Sequence, residues 1–458
     1  MPSTDRGPER RARWYAGIAV AVVIGLLVTA CSSGNHSTVS SVSAAQRRAQ
    51  ASASAKARAA ALAKAHAAAL ARDLKITPAD GSHDASPSDG ITVTAVGKLR
   101  HVTVRTAGDA VYGSLADDGK SWHSTGHLDI SQSYTVIVTG TAPSGEKIKK
   151  TSTFRTLTPA QTFTTEIFEG YKQTYGVGMP IMLTFSQPIT NKAAVERSLE
   201  LITSKPVIGA WYWNGDQQLY FRPRDYWPAY TEVTLTSHLD GIKGATGVYG
   251  ARDLSQTFEI GRSLIAVAST TTHKTQIYLN GKLTYQWPIS TGRASLPTPD
   301  GTYLSVEKAN PVRMIGGGPK GSPGYYNELV NFAVRFTWSG DYYHSAPWSV
   351  VDQGSTNVSH GCVNLPPAAA KIYYNMSIPG DPITVTASTA AGKWGDGWTQ
   401  WFWSWSQYLA GSATGEAVEA GPQGSTFVSP SSLPASTASA PLGTSASGNY
   451  YADSGNLG

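Results

Sequence analysis

The chain has 458 residues, 15% of them charged and 41% hydrophobic, with a formal net charge of +6, 46 Gly, 26 Pro and two Cys. That length exceeds one ordinary core and calls for several domains, while two Cys exclude a disulfide framework and a cysteine-rich zinc cluster. Residues 1–13 carry +2 and residues 46–75 carry +6, leaving −2 from Ile76 onward, so the body lacks a phosphate-neutralising face and no nucleic-acid partner is expected.

Arg6, Arg10, Arg11 and Arg13 precede an uncharged apolar run from Trp14 to Ala30. This pattern predicts a secretory signal peptide over residues 1–30. The run also lies at the lower limit for spanning about 30 Å of hydrocarbon, so an uncleaved anchor is the competing reading. Val28-Thr29-Ala30-Cys31 resembles a bacterial lipobox, which implies lipidation of Cys31. With either end the remainder is exported and tied to a membrane. Residues 31–76 then hold a polar spacer and an Ala-rich stretch with no apolar stripe, read as a solvated helical stalk or a flexible spacer.

From Ile91 the pattern changes to short alternating runs: Ile91 to Val96, Val102 to Arg105, Tyr134 to Val138 and Thr151 to Leu157. Asp118-Gly119 and Ser144-Gly145 supply turns, and together these predict a small β-sandwich over residues 88–158. A second such module is expected over residues 160–261, with strands at Met179 to Ile189, Trp211 to Trp213, Leu219 to Pro223 and Tyr230 to Leu235. Both resemble bacterial immunoglobulin-like domains, which by default space and position a third domain.

The third domain, residues 263–387, is expected to be a mostly β sandwich with one short helix from Pro366 to Asn375 and a hairpin turn at Asn280-Gly281. Five of the 13 Trp fall between Trp394 and Trp405, so residues 388–410 read as an aromatic C-terminal cap docked on this domain. Residues 411–458, rich in Ser, Ala, Gly and Pro, are expected to be disordered.

Chemistry concentrates at the second cysteine. His344-Ser345-Ala346-Pro347-Trp348 precedes Ser359-His360-Gly361-Cys362-Val363-Asn364. An exported chain that keeps one unpaired thiol carries an oxidation liability, which a nucleophile justifies. Imidazole titrates in the range suited to taking the thiol proton, and two His are available, at positions 344 and 360. Gly361 permits tight backbone curvature beside the nucleophile, so that N–H groups can converge on an oxyanion. The same three side chains are metal-ligand types, but their spacing matches no zinc signature and no metal or other cofactor is expected. Ser144-Gly145-Glu146-Lys147 has the Ser-x-x-Lys form but reads as a turn.

His344 followed by Ser359-His360-Gly361-Cys362-Val363-Asn364 resembles the signature of L,D-transpeptidases of the YkuD type, and the flanking modules resemble the actinobacterial branch of that family. The resemblance implies Cys362 as nucleophile and His344 as its base, with Ser345 orienting the imidazole through its main-chain carbonyl. His360, Gly361 and Asn364 would shape the pocket and its oxyanion donors. Tyr325 or Tyr326 would serve as a lid tyrosine, with Met314, Trp348 and Ser359 lining the cleft. It further implies peptidoglycan stem peptides as donor and acceptor, 3→3 cross-linking with release of D-Ala, inhibition by carbapenems, and a location at the outer face of the cytoplasmic membrane or in the wall. An L,D-carboxypeptidase, or a non-catalytic wall adaptor, is the alternative reading.

Overall fold

The computed structural model describes residues 43–322 and 324–434, and the chain is mainly β. The expected signal segment, Cys31 and the start of the spacer lie outside the described residues, as do residues 435–458. Among the described residues no helix is long and apolar enough to cross a membrane.

Ala44–Leu70 is one helix of 27 residues, about 40 Å long at the usual rise per residue. Its alanines supply propensity without an apolar stripe. The stalk does not extend to residue 76 as expected. Leu74–Thr77 is instead a strand of the first β module, pairing antiparallel with Thr92–Ala95. Leu74 and Ile76 are buried while Lys75 and Thr77 are exposed, an alternation that seats the strand on the core and moves the module's start from 88 to 74.

The first module stacks two sheets. One takes Leu74–Thr77, Thr92–Ala95, Ser121–Ser124 and Gly113–Leu115; the other takes Lys98–Arg105, Ser133–Thr141 and Lys147–Arg155. Alternate residues Tyr134, Val136 and Val138 point inward to meet Val93, Trp122 and Phe154. Ser144 and Gly145 form the turn between two of these strands, so the Ser-x-x-Lys sequence carries no site.

In the second module a ten-stranded sheet encloses Trp211, Phe221, Trp227, Leu183 and Phe258. Each of these large side chains contributes about 2–3 kcal/mol when withdrawn from water. Two of the ten strands come from the far end of the chain. Ala417–Gly421 lies between Leu199–Thr203 and Val207–Asn214, and Gly424–Val428 folds back on it as a hairpin. The expected disorder from residue 411 is therefore corrected over residues 411–434. Ala417, Val418 and Ala420 are buried, and their small side chains fill a slot between two strands that would otherwise lack a partner.

The third domain packs a five-stranded sheet (Lys282–Pro288, Lys274–Leu279, Leu264–Ser269, Pro382–Thr386, Gly301–Leu304) over a four-stranded one (Glu307–Ala309, Ala333–Arg335, Tyr342–Ser345, Val363–Leu365). Asn280 and Gly281 both take positive φ, as a two-residue hairpin turn of the expected kind demands. The helix Pro367–Met376 buries Ala369, Ala370 and Tyr373 against Val363, Leu365 and Tyr343. A separate hairpin, Val312–Gly316 with Tyr326–Val330, stands beside the second sheet.

Backbone contacts join the second and third modules. Gly176 N–H donates to Pro379 C=O at 2.8 Å and Gly178 N–H to Gly380 C=O at 3.0 Å. Arg262, in the connection, grips buried Asp381 with two bonds of 2.6 Å. The aromatic cap docks on both modules rather than on the third alone. Trp401 joins the second module's core and donates from Nε1 to Gly178 C=O at 2.7 Å, while Phe402 meets Tyr303 of the third.

Candidate active site

The strands Tyr342–Ser345 and Val363–Leu365 run parallel, with His344 opposite Asn364. Cys362 precedes Asn364 by two residues, so the pleat brings Cys362, His344 and Asn364 to one face. They line a cleft of about 360 Å³ with Met314, Tyr326, Glu328, Val330, Trp348, Val358, Ser359 and His360.

His344 is 3% exposed, and its Nδ1 lies 2.9 Å from the Ser345 carbonyl oxygen. A carbonyl only accepts, so Nδ1 carries the proton and Nε2 keeps the lone pair that a general base needs. Burial pushes the imidazole down to about 4 against the pull of that carbonyl. Burial likewise pushes the Cys362 thiol up to about 12, with the Asp341 carboxylate adding to the effect and a hydrogen bond from the Tyr342 N–H opposing it. At neutral pH the two groups are thus uncharged thiol and uncharged imidazole. The thiol proton points to Gly340 C=O, 3.8 Å from the sulfur.

The turn before Cys362 is tied by Ser359, whose hydroxyl donates to Cys362 C=O at 2.6 Å and accepts from Gly361 N–H at 3.2 Å. That second bond engages the Gly361 N–H and withdraws it from the expected set of oxyanion donors. Gly361 is needed for space: its φ is +134°, and a Cβ there would fall 2.2 Å from Asp341 Oδ1. The Asn364 amide donates to Ser349 Oγ at 3.0 Å. Asn357 fastens the loop from behind, accepting from Thr291 N–H at 3.0 Å and donating to Thr270 C=O at 2.8 Å.

Of the two adjacent tyrosines, Tyr326 lines the cleft and Tyr325 does not. The Tyr326 ring rests 4.5 Å from the His360 ring. Trp348 is exposed, with its ring 6.0 Å from that of His344, whereas Met314 is buried in a small cluster with Val330, Ala333 and Tyr342 that Cys362 packs against. Sequence reasoning missed Glu328, Val330, Val358 and Asp341. The first two were open to discovery, because Tyr326, Glu328 and Val330 share one strand face at a period of two. Among the described residues no cluster of three or more His, Cys, Asp or Glu could hold a metal ion.

Residues 263–385 match the YkuD family, the L,D-transpeptidase catalytic domain, and residues 82–243 match the Bacterial Ig domain family. L,D-transpeptidase 2 of Mycobacterium tuberculosis (strain CDC 1551 / Oshkosh) is 32% identical over 346 residues, 74% of this chain and 85% of that one. L,D-transpeptidase 5 of M. tuberculosis (strain H37Rv) is 32% identical over 74% of this chain and 77% of its own. A solved L,D-transpeptidase in complex with imipenem is 37% identical, covering 48% of this chain and 97% of that one at a TM-score of 0.42. A relative 32% identical is thus matched over 85% of its own length, the residues that hold the cysteine site match the catalytic-domain family, and the chain belongs to the L,D-transpeptidase family.

Proposed function

We propose that this chain forms 3→3 cross-links between peptidoglycan stem peptides through an acyl-enzyme on Cys362, acting from the outer face of the membrane to which a lipid on Cys31 or an uncleaved anchor ties it. The observation that carries the reading is the fixed His344 tautomer, whose imidazole lines the same cleft as Cys362 and leaves Nε2 with its lone pair. As the sulfur attacks the carbonyl between diaminopimelate and terminal D-Ala of a tetrapeptide stem, its proton passes to His344 Nε2. Charge leaves the sulfur for the oxyanion, and the histidine returns the proton to the departing D-Ala amine. The side-chain amine of a second stem's diaminopimelate then attacks the thioester, releases the thiol and completes the cross-link. A carbapenem carbonyl, held in a strained ring, takes the donor's place and leaves the thiol acylated.

The test is incubation of the full-length chain with a disaccharide-tetrapeptide, followed by mass spectrometry. D-Ala loss with a cross-linked dimer is expected, and Cys362→Ala should abolish both. D-Ala loss without dimer would identify water as the acceptor and make the chain a carboxypeptidase. Turnover that persists in Cys362→Ala would sink the mechanism.

A further inference from the structure

We propose that Asp341 is a positioning residue whose carboxylate keeps the Cys362 thiol protonated until substrate arrives, and that the cap holds it in place through Asp396. The inference rests on Cys362 being the nucleophile but not on which stem peptide it attacks.

Three consecutive residues lie beside Cys362. Gly340 C=O accepts from the thiol, Tyr342 belongs to the small apolar cluster that Cys362 packs against, and Asp341 between them presses its carboxylate against Gly361, the residue before the nucleophile. The segment is fixed from two directions. Thr337 Oγ1, itself fully buried, donates to Asp341 Oδ2 at 3.0 Å and accepts from Asp341 N–H at 2.7 Å and Gly340 N–H at 3.2 Å. Asp396 of the cap accepts from Ser339 N–H at 2.7 Å and Ser339 Oγ at 2.6 Å. Trp338 and Trp398 meet edge to face beside that clamp.

The carboxylate therefore cannot swing away when the sulfur ionises. The titratable groups that face it are Cys362, Asp396 of the cap and Tyr326 of the neighbouring hairpin, while the Arg293 charge acts on Tyr326 and His360. Asp341 itself is pushed up to about 6, chiefly by burial and further by Asp396, with the Thr337 hydroxyl opposing, so it is ionised at neutral pH. Two like charges in one partly buried space disfavour each other. The thiolate is then favoured only when a substrate carbonyl draws its charge outward, and the resting thiol is kept from oxidation.

The test is the rate of iodoacetamide alkylation of Cys362 in the purified full-length chain, followed on the Cys362 peptide by mass spectrometry between about pH 5 and 9. The wild-type rate should climb about tenfold per pH unit at either end but flatten near about 6, where Asp341 ionises and makes the thiol harder to deprotonate. Asp341→Asn keeps an acceptor for Thr337 and discards the charge. Its profile should be straight, joining wild type at the acid end and exceeding it by about tenfold at pH 8. Thr337→Val removes a hydroxyl that stabilises the carboxylate, so its flattened region should move to higher pH. A straight wild-type profile overturns the proposal without recourse to any variant, and so does an Asp341→Asn rate no greater than wild type at pH 8. The readout is alkylation, so a chain that turns over no stem peptide refutes the proposed reaction and not this inference.

Discussion

Ionising His344 inside the cleft costs free energy because burial strips the imidazolium of water, and the Ser345 carbonyl compensates only in part. The consequence for catalysis has a definite sign. Protonated imidazole cannot take the Cys362 proton, so activity is lost as pH falls through the folded value, which is about 4. The acid limb of kcat/KM for a stem peptide is thus expected near pH 4, well below free imidazole. A limb near pH 6.5 would show that the base is not buried as described. Glu169 gives a second case at this scale. It is fully buried in the second module, its Oε1 has no partner, and burial raises it to about 8. A carboxyl raised on folding contributes stability that is complete below its unfolded value and lost as pH rises through the folded one. Melting temperature should therefore fall between about pH 5 and 8, and Glu169→Gln should flatten that slope and raise Tm at pH 8. Equal slopes in the two proteins would refute the assignment.

At the scale of elements, the cap is held by a cation between two rings. Arg222 is 2% exposed, lies 4.5 Å from the centroids of both Trp401 and Tyr408, and donates from Nη2 to Trp403 C=O at 2.9 Å. Burial lowers its pKa to about 10, which leaves it charged at neutral pH. Arg222→Ala should cost about 3 kcal/mol in denaturant unfolding, and Arg222→Lys should recover only part, since an ammonium cannot lie flat between rings. Full recovery by lysine would argue against the sandwich. How much of this was legible follows from sequence distance. The stretch Ser359 to Asn364 is contiguous, so one run of residues displays the nucleophile, its turn and the pocket amide together. The helix after it shows its Pro start and alanine filling just as locally, and forms over Pro367–Met376. Tyr326 could be separated from Tyr325 only by the pleat of its strand. Asp341 looks like a turn residue until folding lays it against Gly361. The Arg222 sandwich joins residues about 180 positions apart, and composition around 417 reads as linker because a strand filling a tight slot needs small side chains.

For the molecule as a whole, the returning C-terminal hairpin locks the far end of the chain into the second module, on the other side of the catalytic domain in sequence. Glu196, fully buried, depends on this return. Its carboxylate accepts from Trp213 Nε1 at 2.7 Å within the module, but also from Ala413 N–H at 2.6 Å, Ser412 Oγ at 2.8 Å and Thr414 Oγ1 at 3.0 Å. Leu201 N–H likewise donates to Ser425 Oγ at 2.9 Å. Ending the chain after Ala410 would strip Glu196 of three partners and open the facing edges of Leu199–Thr203 and Val207–Asn214, each an unpaired row of backbone donors and acceptors. A chain ending after Pro434 keeps all of these and serves as the control. Calorimetry should place the shorter chain's melting about 10 °C or more below the control, with concentration-dependent aggregation through the open edges. Every residue named as lining the cleft precedes Leu365 in sequence, so at low temperature the shorter chain should still be acylated at Cys362 by a carbapenem, read as the mass of the adduct. Equal melting of the two chains would mean that the hairpin fills a slot without supporting it. Loss of acylation well below the melting transition would instead extend the hairpin's influence, through the joined backbones at Gly176 and Gly178, to the nucleophile itself.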